Sequence, residues 1–443
     1  MFSLALIAIS MAFAGPSISF ASFYLGHVTL ALWIIVATFS LRLRNSEYVG
    51  YYITAFTPII LIFIYYYWSF LWVEDLAFWA RKSAFLLIGL AIMVMTFVAC
   101  CKSFIKLKII VGALIGLVAL QIIVAGLEGM GVLRLPTSPY SDWAPLLGKR
   151  AVDWNIYPPD VESRVRRWPT GFTGNPNDLS AILVLFSGFF LFHRIKIVSV
   201  FGILSIALVI YAAESRIAGI GLAVSIMFYI VVRLRCMGYK YSFLLAITTI
   251  LLLLATLISI ILNIGLISDL YRIFYVTITR GSEIVAEAWR FVTSPDVQLT
   301  NYGRDSIGSR WGLTRNGLIA IFSTYGVGVG AGNIVPFQEY ISGPGGVNGS
   351  VDLHNFWLEI FSEGGIVCGA LFFYWYFAQL FGHLKIINHS ENKFLVYLSK
   401  SIACGLLGYV LSCIGPSSSM YILPMWILFG VSLATLYFGK RES

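Results

Sequence analysis

Charge is what this chain has least of. Aspartate, glutamate, lysine and arginine make up only 12% of its 443 residues, while 59% are hydrophobic; the charged share is about half that of an average soluble domain. A water-soluble core of that size would need far more polar surface to cover it, so a soluble globular protein is excluded. Acid is the scarcer sign, with 21 Asp and Glu against 30 Lys and Arg. Histidine is scarce too, at five, and no Cys/His pairing has the spacing of a metal site. The six cysteines, Cys100, Cys101, Cys236, Cys368, Cys404 and Cys413, all fall in or beside apolar runs, so no disulfide framework is implied. No internal repeat is visible, and the loops of the two halves are unequal. That argues against a transporter built from inverted or parallel repeats.

What is present is a series of apolar blocks, each of the length that crosses a bilayer as helix. Twelve can be read, near 1–14, 27–41, 51–72, 83–101, 109–131, 179–193, 197–213, 217–233, 243–265, 355–381, 396–414 and 420–437. The first ends in Ala12-Phe13-Ala14, which resembles a cleavage site, but it lacks a basic start and reads as a retained helix. Short loops carrying Arg42 and Arg44, Lys102, Lys106 and Lys108, Arg194 and Lys196, Arg233, Arg235 and Lys240, Lys385 and Lys393, and Lys440 and Arg441 follow every second block. By the positive-inside rule these face the cytoplasm, which puts both termini there. The expectation is an all-α polytopic membrane protein of about twelve transmembrane helices.

The opposite face holds 13 Arg but only 2 Lys, against 6 Arg and 9 Lys on the cytoplasmic side. Topology needs charge of either kind, so it does not explain this preference. Guanidinium binds phosphate and carboxylate in bidentate fashion, which an ammonium cannot copy. The net charge of +9 therefore points to anionic ligands on the outer face and not to nucleic acid; solvated loops and lipid headgroups account for many of the same arginines. Two outer loops are long, roughly 132–178 and 266–354, and long loops on one face of a bundle are where sites are built. In the second, Leu270, Ile273, Phe274 and Ile278, and again Leu313, Leu318, Ile319 and Phe322, fall at helical spacing. They predict amphipathic helices lying over the bundle. The chain divides accordingly into 1–178 (five helices and the first long loop), 179–265 (helices six to nine), 266–354 (the large structured outer loop) and 355–443 (helices ten to twelve).

Four constellations carry candidate chemistry. Arg166-Arg167-Trp168-Pro169-Thr170-Gly171-Phe172-Thr173-Gly174-Asn175-Pro176-Asn177-Asp178 closes the first long loop. Asn177 or Asp178 is expected to cap the next helix and leave free N–H groups at its positive end; a turn and cap with nothing bound uses the same residues. Glu214-Ser215-Arg216 is a short outer turn, where an arginine can snorkel to headgroups or face an anionic substrate. Ser309-Arg310 to Asn316-Gly317-Leu318 is followed by Gly326-Val327-Gly328-Val329-Gly330-Ala331-Gly332-Asn333. This glycine run misses the spacing of a dinucleotide fingerprint. It suits an anion-holding nest or plain turn geometry. Asp352-Leu353-His354-Asn355 to Glu359 and Glu363-Gly364-Gly365 stands where the second loop re-enters the membrane. Of the five histidines only His27 and His354 map to the outer side; His193, His383 and His389 suit ordinary cytoplasmic loop roles. Imidazole is the side chain best poised for proton transfer near neutral pH.

In this order and with these spacings, the segments G-F-T-G-N-P-N-D-L, S-R, R-x4-R-N-G-L with G-V-G-x-G-N, and H-N-x2-L-E-x3-E-x-G resemble the O-antigen ligase and O-antigen polymerase superfamily, over roughly residues 166–370. The resemblance implies an outward-facing, GT-C-like glycosyltransferase that needs no metal or cofactor and inverts the anomeric centre. Its donor would be a glycan on undecaprenyl diphosphate. Its acceptor would be lipid A–core in a ligase, or another lipid-linked repeat unit in a polymerase. By motif position Arg216 and Arg310 would bind the diphosphate and His354 would sit at the reacting centre. Arg167, Asn175, Asn177, Arg315 and Glu359 are the expected substrate contacts. One departure is that the family's arginine three residues before the glycine is Trp168 here, with Arg167 one residue further back. The competing reading is a transporter or flippase of lipid-linked sugars. It calls for charged residues in mid-membrane, and few occur here: Lys400 lies early in the eleventh block and Glu128 near the end of the fifth. The loop after the second block, Leu41-Arg42-Leu43-Arg44-Asn45-Ser46-Glu47, also lacks the signature of major-facilitator transporters.

Overall fold

The computed structural model describes residues 6–7, 9–10, 12, 19–20, 23–24, 46–136, 138–147, 152, 154, 159–236, 281–294, 306–342, 352–416 and 419–442. Within them the chain is helical, apart from a two-residue antiparallel pairing of Ser19–Phe20 with Phe23–Tyr24. The helices are α1 (Ser46–Trp68), α2 (Leu76–Cys101), α3 (Phe104–Gly129), α4 (Pro159–Val165), α5 (Pro176–Leu191), α6 (Lys196–Ala212), α7 (Arg216–Cys236), α8 (281–293), α9 (Ser306–Ser323), α10 (Ile334–Ser342), α11 (Phe356–His389), α12 (Lys393–Ser412) and α13 (Leu423–Glu442).

Seven of these are long and apolar enough to cross a membrane: α1, α2, α3, α7, α11, α12 and α13. Helices α5 and α6 are apolar but shorter, with 16 and 17 residues, about 25 Å at 1.5 Å per residue. Nine of the twelve expected blocks thus contain a helix. The blocks at 27–41 and 243–265, and most of 1–14, lie outside the described residues.

Side-chain caps set the starts. Asp75 accepts from Ala77 N and Phe78 N, Ser103 from Lys106 N, Asn355 from Leu358 N and Asn392 from Phe394 N and Leu395 N. Each satisfies N–H groups that the first helical turn leaves open. For α5 the cap is Asn175, whose Oδ1 accepts from Asn177 N at 2.8 Å, and not Asn177 or Asp178 as the sequence suggested. Pro176 explains the shift, because its fixed φ and missing N–H suit the first helical position.

Inside the bundle α12 packs on α5 and α7, α13 on α2, and α11 on α12, α9 and α1. Small residues allow the closest crossings. A Cβ on Gly405 would overlap the Leu185 carbonyl, and one on Gly188 the Ser401 carbonyl, so α5 and α12 meet backbone to backbone. The large core side chains Trp426, Tyr376, Tyr409 and Phe429 fill the space beside them.

Helix α11 is broken at Gly365 (φ 73°), and the glycine run of 326–332 docks at the break. Val329 N donates to Ser362 O and Gly330 N to Glu363 O, both at 2.9 Å, and Ile366 N donates to Gly326 O at 2.9 Å. Tyr65 and Trp72, near the α1–α2 turn, hold Val327 O and Gly328 O from the other side. The anion-nest reading is therefore corrected. Gly328 N is taken by Thr324 Oγ1 and Ala331 N by Ser69 Oγ, and a Cβ at Gly328 or Gly332 would run into a backbone carbonyl. These glycines serve close packing. Helix α11 also runs eight residues past its expected end at 381. His383 is accordingly not a loop residue: it is buried between Ser399 Oγ (3.3 Å) and Ser432 Oγ (2.8 Å).

Candidate active site

The ends of α5, α7, α9, α11 and α12 converge on one polar rim. Ser215 Oγ donates to Asn177 Oδ1 at 2.9 Å, which ties the turn before α7 to the first turn of α5 and sets Arg216 beside both. Gly415, just past α12, lies against Asn177, a Cβ there falling 3.8 Å from the Asn177 side chain. The backbone of Gly415 in turn hydrogen-bonds the His354 ring. Phe356 N donates to Cys413 O at 3.3 Å and Trp357 Nε1 to Val410 O at 2.9 Å, pinning the start of α11 to the end of α12.

Two non-glycine residues here hold left-handed backbones, Glu214 at φ 53° and His354 at φ 50°. Such conformations cost about 1–3 kcal/mol and persist where surroundings enforce them. Both strained residues stand next to rim residues, Ser215-Arg216 and Asn355.

Arg310, in the first turns of α9, is half-buried and makes no ion pair with any described residue. Burial lowers its pKa from the usual value. Its charge and the burial of the ring both push the His354 pKa below the ordinary histidine value, burial being the larger cause. Asp178 stands one residue before the apolar run of α5; its Oδ1 is sealed from solvent and has no hydrogen-bond partner among the described residues. Burial, and next the Asp352 carboxylate, raise its pKa to about 7.

The structure thus brings His354, Arg310, Asn177 and the Arg216 turn to one rim, with Asn175 as the cap beneath. It puts three other expected contacts elsewhere. Arg315, 7% exposed, donates to Glu287 Oε1 at 3.3 Å and to the Asn316 side-chain oxygen. Glu359 is fully buried and bonded to Lys82 of α2, which also lies 3.4 Å from Glu363 and over the Tyr421 ring. Arg167 is exposed and its side chain has no partner among the described residues. Arg216 is also exposed, at the N-terminus of α7.

Two features escaped the sequence reading. The Lys82–Glu359–Glu363 cluster lies inside the bundle, and no pairing between its members was read from the sequence. Lys82 falls one residue before the expected start of its helix, and that position is its only trace. The second feature is a clamp under the Gly171 turn. Glu128 Oε2 accepts from Thr170 N at 2.8 Å and Gly171 N at 2.6 Å, and Gln121 Oε1 from Phe172 N at 3.1 Å. Arg134 binds Trp168 O and Arg166 O from the other side. The N–H groups of Thr170 and Gly171, in the loop before α5, are thus occupied by a carboxylate of the protein itself.

Several apolar helices of spanning length, capped at one end by a strained rim of Arg, His, Asn and Asp, define a polytopic membrane protein with a candidate catalytic surface at the helix ends. Residues 181–373 match the family model described as O-antigen ligase, which supports the O-antigen ligase/polymerase superfamily for that region. The matched stretch contains Arg216, Arg310, Arg315, His354 and Glu359. No curated protein matches the chain.

Proposed function

We propose that this protein transfers a glycan from undecaprenyl diphosphate to an acceptor hydroxyl at the outer face of the inner membrane, with both termini in the cytoplasm and a GT-C-like arrangement of about twelve spans. The observation that carries the reading is Arg310: a half-buried guanidinium without an ion pair among the described residues, bearing on His354. A protein does not leave a desolvated charge uncompensated without cost, and a diphosphate is the ligand that compensates it.

The bond to be broken joins an anomeric carbon to a diphosphate, which leaves as an anion. Arg310 and Arg216 stabilise the growing charge, each donor of this kind contributing roughly 3 kcal/mol, about a hundredfold in rate. Attack from the opposite side inverts the anomeric centre. Asn177, fixed by Asn175 and Ser215, and the imidazole of His354 hold the reactants in line. Arg167, Arg315 and Glu359 complete the motif set: Arg167 at the exposed edge, the other two as the braces of α9 and α11. In a ligase the acceptor is lipid A–core, and in a polymerase it is another lipid-linked repeat unit. Donor and machinery are common to both.

The test is a gel of surface lipopolysaccharide and lipid-linked glycan from a deletion strain complemented with wild type, His354→Ala or Arg310→Ala. Loss of all sugar on the core, with long polymer accumulating on the lipid carrier, identifies a ligase. Single repeat units without a ladder identify a polymerase. An unchanged surface, or point variants that restore it fully, would return the flippase reading to first place.

A further inference from the structure

Glycan transfer of this kind must place one more atom, the proton of the attacking hydroxyl. His354 is a weak receiver, because its charged form is opposed by burial and by Arg310. The first turn of α5 carries a carboxyl group, Asp178, next to the rim residue Asn177. Asp178 follows Asn177, whose side chain is fixed by Ser215 and lies against Gly415, the residue that holds the His354 ring. Its Oδ1 is buried without a hydrogen-bond partner among the described residues. A buried polar atom left unpaired costs about 1–3 kcal/mol, and hydrogen-bonding a substrate group is one way to recover it. Of the charged groups gathered at this end (Asp352, His354, Arg310, Arg216 and Glu214, the last paired with Arg164 at 3.2 Å), Asp352 acts on it directly.

We propose, resting on the transfer reading above, that Asp178 is the catalytic base, taking the proton of the acceptor hydroxyl while His354 orients that hydroxyl. The step balances within the named groups. The hydroxyl oxygen forms the bond to the anomeric carbon and its proton passes to a carboxylate oxygen of Asp178. The anomeric carbon–oxygen bond to the diphosphate breaks, and the electron pair leaves with undecaprenyl diphosphate against Arg310 and Arg216. The proton on Asp178 is then lost to solvent. Burial and Asp352 raise this carboxyl toward neutrality, where a base combines availability with driving force.

The experiment uses the purified full chain in proteoliposomes, with the lipid-linked glycan that accumulates in the deletion strain and that strain's core lipopolysaccharide. Asp178→Asn is expected to lower kcat by about a hundredfold or more, within the range of general-base effects, with KM for the donor unchanged. Because the base must be ionised, wild-type kcat should rise with pH below about 7 and level above it, while the residual rate of the Asn variant stays flat. An Asn variant within about threefold of wild type, or one that keeps the wild-type pH profile, overturns the assignment. Should that variant fail to fold, Asp178→Glu decides: restored turnover with a displaced pH midpoint upholds the role, and an undisplaced midpoint overturns it. Arg310→Ala separates the two levels. If it turns over like wild type, the transfer reading itself fails. If it is inactive while Asp178→Asn is not, only the proton assignment falls.

Discussion

Charged groups in this bundle are treated in two opposite ways. In the interior and beneath the rim they are paired: Lys82 with Glu359 and Glu363, Arg315 with Glu287, and Glu128 with Arg134 at 3.6 Å and two backbone N–H groups. At the rim, Arg310 and Arg216 have no ion pair, and Asp178 Oδ1 no hydrogen bond, among the described residues. Arg310 and Arg315 make the contrast sharpest. They belong to one motif and one helix, five residues apart, and so point about 140° apart around it. One is committed to a carboxylate of the fold and the other has no ion pair among the described residues. Residue type says which chemistry is possible, and the partner says which is in use.

The paired side breaks hardest at Lys82. Removing one member of a buried ion pair strands the other charges, at a cost of about 3–5 kcal/mol. Lys82→Met should therefore lower the thermal midpoint of the detergent-solubilised protein sharply. Lys82→Met with Glu359→Leu and Glu363→Gln should recover most of the loss, since no charge is then left stranded. A single variant as stable as wild type would show that these residues do not brace α2 to the broken helix α11.

Next in size is the rim. Arg310→Ala should lower turnover about a hundredfold, near 3 kcal/mol at 25 °C, with the thermal midpoint held. Arg310→Lys should recover little of it, because an ammonium cannot present the bidentate fork. Arg315→Lys should do the reverse, moving the midpoint and leaving kcat nearly unchanged. If the two arginines exchange phenotypes, having a protein partner does not separate structural from working charges. Glu128→Ala falls between the two classes. It unpairs the N–H groups of Thr170 and Gly171, at about 1–3 kcal/mol, and loosens the segment that carries Asn175, Asn177 and Asp178. Both the midpoint and kcat should move, and kcat alone moving would mark Glu128 as something other than a clamp.

The helices and the rim were largely legible in the sequence, and the partners were not. Apolar runs of spanning length located α1 to α3 and α11 to α13, because the bilayer leaves helix as the way to satisfy the backbone. Motif order had singled out Asn177, Arg216, Arg310 and His354, and in the fold these lie at neighbouring helix ends. The α5 cap was misplaced by two residues, because Asn175, Asn177 and Asp178 all suit a cap and Pro176 decides among them. The glycine run fitted both an anion-holding nest and plain turn geometry. What settles it is the break at Gly365 in α11, more than thirty residues further on. Glu359 and Lys82 are 277 positions apart, and nothing local in either stretch announces the other. Pairings of that range depend on which helices pack together, which hydropathy does not encode.

The smallest effect expected tests the exposed side of the rim. Arg167 is the motif arginine displaced by Trp168, and its side chain is exposed without a partner among the described residues. Its neighbour Trp168 is held through its carbonyl by Arg134 at 2.8 Å, so the backbone here is fixed whatever occupies position 167. Exposed charges are screened by solvent and salt and contribute little. Arg167→Ala should therefore change kcat by less than about threefold and leave the midpoint in place, with any effect fading as salt is raised. A hundredfold loss that persists at high salt would mean that the substrate itself buries Arg167. The rim's ligand-facing set would then extend from α9 and α7 across to the first long loop, and freedom from a partner, not depth of burial, would be the property that marks the working arginines of this fold.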